Sequence, residues 1–233
     1  MSCCEATAVW DKAYKYKDRD QAGRALASLL EAYRGGDAVV LAIPNGGVAV
    51  GAAIARTLGL DIGLMVVRKI QFPDNPEAGF GAVGADGTVV LDDGLIAAHG
   101  LSPEQVLAQK RKALRSVRER VARFGVRALL PPLRARTVIL VDDGLATGST
   151  MEAAVSIVRG RRPARVVVAV PTASHRAWGR IRGLVEELVC PHIGRLPFFA
   201  VADAYEHWHD LDEDEVIRLM DATAKRTPLG GLP

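Results

Sequence analysis

Cysteine, aromatic residues and long apolar runs are all scarce in this 233-residue chain, and each scarcity excludes something. Of its three cysteines, Cys3 and Cys4 are adjacent and Cys190 lies in an apolar run, so no disulfide framework is available and a reducing compartment is expected. Nowhere do 18 apolar residues run unbroken, which argues against a membrane-spanning helix, and the polar N-terminal stretch lacks the apolar centre of a signal peptide. A cytoplasmic protein without a membrane partner is therefore expected. Aromatics make up only 5% of the chain while Ala, Val, Leu and Gly abound, which suits helices layered on a buried sheet better than a sandwich with one wet face. Two nucleotide signatures are also missing. There is no G-x-x-x-x-G-K-[ST] loop, and no G-x-G-x-x-G follows a strand and opens a helix.

What is present is an ordinary globular composition, 49% hydrophobic and 24% charged, which rules out disorder. The formal charge of +3 conceals an uneven distribution. Ten basic residues and one acid, Glu119, fall between Lys110 and Arg136, whereas seven acids and no Lys or Arg fall between Asp203 and Glu215. Such a split suggests an anionic ligand, a nucleic acid, or two oppositely charged solvated faces.

Along the chain, apolar runs of strand length alternate with stretches of helical period. Asp18 is placed to cap a helix whose apolar face is Ala22, Leu26, Leu29, Leu30 and Tyr33, stopped by Gly35-Gly36. A strand is expected over 38–43, closed by Pro44-Asn45-Gly46-Gly47, then a helix over 48–58 and a second strand ending at Val67, just before Arg68-Lys69. Residues 70–87 are rich in Gly, Pro, Asp and Asn and read as a mobile loop, with a hairpin over 80–91 around Asp86-Gly87. Ser102-Pro103-Glu104-Gln105 is a capping box with proline at the first helical position, opening a helix that reaches Phe124. Strands over 137–141, 165–170 and 184–190 alternate with helices to Arg159 and over 174–184, and a last helix is expected from Asp212. This order predicts an α/β fold with a doubly wound, mostly parallel sheet, in one domain spanning 1–233. Its core covers about 15–190, with a small C-terminal hood over about 191–222.

One segment carries chemistry: Val138-Ile139-Leu140-Val141-Asp142-Asp143-Gly144-Leu145-Ala146-Thr147-Gly148-Ser149-Thr150. Four apolar residues form a buried strand, so the two carboxylates emerge at its carboxyl end, where open parallel sheets bind ligands. The following turn offers small residues and three hydroxyls directly before a helix, where backbone N–H groups and the helix dipole favour a phosphate. Carboxylates beside a phosphate seat suit a sugar phosphate, with Mg²⁺ as the accompanying cation.

This pattern resembles the phosphoribosyl pyrophosphate (PRPP) signature of the type I phosphoribosyltransferases, in particular a poorly characterised bacterial and archaeal branch. The resemblance extends loosely over about residues 15–220. It implies a mobile lid over 70–90, a dimer, a role in nucleotide salvage, and transfer of a 5-phosphoribosyl group to a nucleobase or related nitrogen acceptor. By the same resemblance, Asp142 and Asp143 would bind the ribose 2- and 3-hydroxyls, directly or through Mg²⁺, as the metal-holding and catalytic pair. Ala146, Thr147, Gly148, Ser149 and Thr150 would hold the 5-phosphate. Asn45, Gly46 and Gly47, in a loop that in such families often holds a non-proline cis peptide, would bind the pyrophosphate together with the catalytic cations Arg68 and Lys69. The hood would take the base.

Ala146 departs from the hypoxanthine-type enzymes, which carry an Asp there to handle a proton of the base. The local DDGLATGST is closer to the adenine and uracil branches. An acid–base group would then come from elsewhere, with Asp74 and Glu77 as candidates. Phe198 and Phe199 fit a packed strand as well as a base-stacking platform. His207-Trp208-His209 lacks a third zinc ligand, Cys190 is expected as a small buried hydrophobe, Ser174-His175 has no nucleophile elbow, and Asp92-Asp93 reads as a solvated turn. The basic helix raises a rival reading, a PRPP- or nucleotide-binding regulator that contacts RNA with little turnover. RNA is the less favoured partner, because aromatic residues for base stacking are nearly absent from the helix. On this reading the chemically important cations are Arg68 and Lys69, outside the basic cluster.

Overall fold

Alternation of side chains along three adjacent strands decides how the chain layers. In the computed structural model, which describes residues 15–75, 78–194 and 199–224, β1 (Val39–Ala42) and β6 (Thr137–Val141) pair in parallel with Val40 opposite Ile139 and Leu41 opposite Leu140. β7 (Arg165–Ala169) continues the register, with Ile139 opposite Val167 and Leu140 opposite Val168. Adding β2 (Asp61–Leu64) and β9 (Glu187–Val189) gives a five-stranded parallel sheet in the order β2-β1-β6-β7-β9. Because successive side chains point to opposite faces, Val40, Ile139, Val141 and Val167 pack on α1 (Arg19–Leu29) and α2 (Gly46–Leu58), while Leu41, Leu140 and Val168 meet α5 (Ser149–Arg159) and α6 (His175–Ile181) on the other face. Both faces are therefore dry. This is the doubly wound α/β arrangement expected from the alternation of apolar runs.

Local signals set several helix ends. The Asp18 carboxylate accepts the Gln21 N–H at the start of α1, and Ser102 with Gln105 forms the reciprocal capping box of α4 (Pro103–Phe124). Asp212 caps α7 (Glu213–Ala224), accepting from the Glu215 N–H while the Glu215 carboxylate accepts the Asp212 N–H.

Four sequence-based expectations are corrected. The second apolar run does not stay in one sheet. Its first half is β2, but β3 (Val67–Gln71) leaves the parallel sheet, so Arg68 and Lys69 lie inside a strand rather than beyond its end. Residues 70–87 are not simply a loop, because β4 (Gly79–Gly84) pairs antiparallel with β3 and with β5 (Val89–Leu91), and Gly87 turns the β4–β5 hairpin at φ +79°. Ile70, Phe80 and Val83 of this small sheet, with Phe72 just after β3, pack on Ala113 and Val117 of α4, and that burial outweighs the weak strand propensity of Gly79 and Gly81. Asp92-Asp93 is solvent-exposed as expected but opens a helix rather than forming a turn; Asp92 caps α3 (Asp93–Ala98) through the Leu95 N–H. The last sheet strand is only β9, shorter than the apolar stretch suggested, and β8 (Thr172–Ser174) pairs separately with β10 (His192–Gly194). Glu77 and Phe198 lie outside the described residues, as do Cys3 and Cys4.

Among the described residues no helix is long and apolar enough to cross a membrane. Leu140 is wholly buried at the centre of the sheet. Leu140→Ala is expected to cost about 3 kcal/mol, by loss of buried methyl groups plus the cavity left behind, measured as a drop in the denaturant midpoint at unchanged slope.

Candidate functional site

The carboxyl end of β6 delivers Asp142 and Asp143 side by side into partly buried positions. Each carboxylate has an internal partner. The Asp142 Oδ1 accepts the Asp143 N–H at 2.9 Å, and the Asp143 Oδ2 accepts the Arg19 Nε–H at 2.9 Å. Arg19 is only 6% exposed, donates a second bond to the His209 carbonyl at 2.8 Å, and lies 3.9 Å over the Trp208 ring. The Tyr205 hydroxyl donates to the Asp143 carbonyl at 2.6 Å. Burial first, and the neighbouring Asp143 carboxylate second, hold the Asp142 carboxyl well above the ordinary range.

Against this pair sits the turn after β1. The Pro44–Asn45 peptide is cis, and α2 begins at once with Gly46, two residues before the position expected from sequence. Both glycines are required by close approach: a Cβ on Gly46 would stand 1.8 Å from the Asp143 Oδ2, and one on Gly47 would stand 2.8 Å from the Val141 carbonyl oxygen and the Asp142 Cα. Asn45 is held at both ends of its amide, donating to the Leu211 carbonyl at 2.7 Å and accepting from the Arg120 guanidinium.

The opposite wall is the start of α5. Gly148 takes φ +75°, which only glycine adopts readily, and so turns the chain into the helix. Ala146, Thr147 and Thr150 are exposed, Ser149 is half-buried, and the Thr147 and Ser149 hydroxyls are 2.9 Å apart at the open helix end. Lys69 reaches this end from β3, its Nζ donating to the Ser149 Oγ at 3.3 Å. Arg68 points elsewhere, its Nε donating to Ser116 Oγ of α4 at 3.1 Å. The structure thus joins Asn45–Gly47 to the acid pair and Lys69 to the helix N-terminus, and connects Arg68 to the basic helix. Asp74 is exposed in the bend after β3, with no bond to any of these groups among the described residues.

Sequence reasoning missed four contributors. Arg19 carries a detectable signal, because a cation in the first turn of a helix opposes the dipole and needs a partner elsewhere. Tyr205 has no such signal. Ser174 does not act with His175 as a nucleophile; it caps α6 and donates to the Ala146 carbonyl at 2.7 Å, bracing the turn before α5. Arg120 belongs to the basic helix, so the expectation that this cluster stays away from the site is wrong for that residue. The charge asymmetry also finds its explanation here: basic α4 faces acidic α7, with Arg123 on Glu213 and Asp214 at 3.1 Å and, just beyond α4, Arg127 bidentate on Asp221 at 2.7–2.8 Å.

Among the described residues no three or more His, Cys, Asp or Glu side chains cluster as a metal cage. The His207–His209 segment is spent otherwise, with Trp208 on Arg19 and His209 on Glu215. Asp142 and Asp143 by themselves fit a hard cation that arrives with phosphate oxygens and its own waters, the usual habit of Mg²⁺. Cys190 is buried, and burial pushes its thiol up to about 12, so it is no nucleophile at neutral pH.

Two outcomes test this geometry. Arg19→Met is expected to cost about 3 kcal/mol, because it strands a partly buried carboxylate, whereas the exposed Arg24→Met leaves the denaturation midpoint within error of wild type. The Asp142 carboxyl holds its proton more tightly folded than unfolded. Its contribution is therefore complete below the unfolded carboxylate range and is lost as pH rises through the folded value. Asp142→Asn should remove that loss and gain on wild type as pH rises, seen in denaturation with chelator between about pH 4 and 8; parallel curves would contradict it.

The comparisons with known proteins agree with this architecture. Two curated relatives from Mycobacterium tuberculosis, strains CDC 1551 / Oshkosh and ATCC 25618 / H37Rv, are provisionally named phosphoribosyl transferases. Each is 37% identical over 206 residues, 88% of this chain and 46% of the relative. The chain thus spans about half the length of these curated relatives. The crystal structure of the protein TT1426 from Thermus thermophilus superposes with a TM-score of 0.81 at 36% identity, covering 88% of this chain and 97% of the other. Residues 14–202 match the phosphoribosyl transferase domain, and with the parallel sheet and the paired acids at the end of β6 already described, the chain belongs to that family.

Proposed function

We propose that this chain is a Mg²⁺-dependent phosphoribosyltransferase that moves the 5-phosphoribosyl group of PRPP to a nucleobase or related nitrogen acceptor and releases pyrophosphate. The observation that carries the reading is the packing of the Asn45–Gly47 turn against the Asp142–Asp143 pair, with the hydroxyl-bearing N-terminus of α5 next along the chain. A ligand with a phosphate and a diphosphate separated by a diol matches that order of donors, acceptors and donors.

In this reading the N-terminus of α5, with Thr147, Ser149 and Thr150, holds the 5-phosphate through hydroxyls and backbone N–H groups. Asp142 and Asp143 accept hydrogen bonds from the ribose hydroxyls, and Arg19 fixes Asp143 for that task. Asn45, Gly46 and Gly47 offer backbone N–H groups to the pyrophosphate, with Arg68 and Lys69 supplying positive charge. Asp142 and Asp143 are the residues that would hold a Mg²⁺ ion, which when bound would supply charge stabilisation to the leaving group. As the acceptor nitrogen bonds to ribose C1, the C1–O bond breaks and its electron pair leaves with pyrophosphate. Positive charge developing at C1 is favoured by the nearby carboxylates, and exclusion of water keeps the product from being hydrolysed. With Ala146 where hypoxanthine-type enzymes have an acid, the acceptor proton leaves through another group or the acceptor has none to lose.

The same reading takes the chain as one functional domain whose C-terminal hood, about 191–222, forms the acceptor side; the contacts of Tyr205, His209 and Leu211 with Asp143, Arg19 and Asn45 support it. It includes a homodimer working in the cytoplasm. The regulatory, RNA-binding alternative is weaker, because Arg123 and Arg127 are engaged by the acids of α7.

Pyrophosphate release from PRPP across a panel of nitrogenous bases tests the reading. At least one base should support release, chelation of divalent cations should abolish it, and Asp142→Ala with Asp143→Ala should reduce it by at least about a thousandfold. PRPP binding without release for any base would favour the regulator instead, and no PRPP binding at all would sink both.

A further inference from the structure

The basic helix has two working edges: one faces the acids of α7, and the other meets them only at Arg120. Ala113 and Val117 bury themselves on the β3-β4 sheet. Lys112, Ser116 and Arg120, spaced four residues apart, form a second stripe along one side of the same helix. That stripe runs toward the site. Ser116 accepts from Arg68 and Arg120 donates to Asn45, so the helix bridges two of the segments expected to meet the leaving group. Between the stripe and β3 lies a cavity of about 280 Å³, lined among others by Arg68, Lys69, Gln109, Lys112, Ser116 and Thr150. Three of its lining residues are cations and none is a carboxylate. The cavity of about 630 Å³ that shares Lys69 is different, since it carries Asp92, Asp93 and Glu152.

Concentrating cations of one sign is costly without a counter-ion. Arg120 shows that cost: burial and the nearby Arg68 hold its guanidinium below the ordinary arginine range. The Glu213 carboxylate, 4.0 Å away, offsets it only in part. Lys112 is exposed and makes no ion pair among the described residues. A polyoxygen anion carrying two or more charges would offset most of the charge of Arg68, Lys69 and Lys112 while using the hydroxyls of Ser116 and Thr150 as donors.

We propose that α4 completes a diphosphate subsite, in which Lys112 contacts the departing pyrophosphate beside Arg68 and Lys69, and Arg120 positions Asn45 against it. The assignment rests on the phosphoribosyl-transfer reading in naming the anion as pyrophosphate. It goes beyond that reading in placing the anion's outer end on the basic helix.

Calorimetric titration of inorganic pyrophosphate into the full chain is the test, run on wild type, Lys112→Met, Arg120→Met and the exposed neighbour Arg111→Met. Lys112→Met should weaken binding about tenfold and Arg120→Met at least as much, while Arg111→Met, which removes the same charge outside the cavity, stays within about twofold. Inhibition of turnover by added pyrophosphate should weaken in the same order, a change that a merely structural role for Lys112 would not produce. Should wild type fail to bind pyrophosphate, or Lys112→Met match Arg111→Met, the subsite is wrong. If PRPP is turned over normally in that case, the transferase reading survives alone. Pyrophosphate binding that Lys112→Met weakens, in a chain that never turns over PRPP, would keep the subsite and overturn the transferase reading.

Discussion

Two adjacent carboxylates at the end of an all-apolar strand are the constraint around which the site is built. Asp142 cannot ionise cheaply where β6 leaves it, because burial and the adjacent Asp143 carboxylate both favour its protonated form. The fold answers with Arg19, brought from the start of α1 and held by Asp143, the His209 carbonyl and the Trp208 ring. It answers also with Tyr205 on the Asp143 carbonyl and with the Asp143 N–H turned onto Asp142. The N-terminal helix and the segment after β10 are thereby tied to the same residue. Substituting any of these partners disturbs more than one wall of the site, since a buried charge left without its partner costs more than the pair contributes.

The same economy explains the uneven charge of the chain. The acids of α7 are not a separate feature; they cover one edge of α4 and its continuation, with bidentate geometry at Arg127–Asp221. The ion pairs are partly exposed, so each adds little stability. Their stronger effect is orientation. With Arg123 and Arg127 drawn toward α7, the Lys112–Ser116–Arg120 edge is left facing β3 and the Asn45 turn.

Much of the fold was legible in local pattern. The apolar runs at β1, β6 and β7, the Asp18 and Ser102 caps, the helix start near Asp212 and the Gly87 turn all express short-range preferences that neighbouring residues reinforce. The β3-β4-β5 sheet was not legible in full, because Gly79 and Gly81 are poor strand residues and their pairing is rewarded only when Ile70 and Phe80 bury against α4. The division of Asp61–Gln71 between two sheets was equally hidden, since a continuous apolar stretch does not say where its hydrogen-bond partner changes.

By itself the sequence determined which residues stand at the ends of strands: the acid pair after Val141, the small residues after Ile43, and the hydroxyls before α5. Strand length and helix capping act within a few residues, so position along the chain is enough to place them. Only the tertiary structure decided which side chains meet across long separations. Arg19 finds Asp143, Arg120 finds Asn45, and Arg68 turns to Ser116 while Lys69 turns to Ser149. Those pairings depend on the register of the sheet and on how α1 and α4 pack against it. No local propensity encodes them, because the free energy that selects them appears only when the partners are buried together.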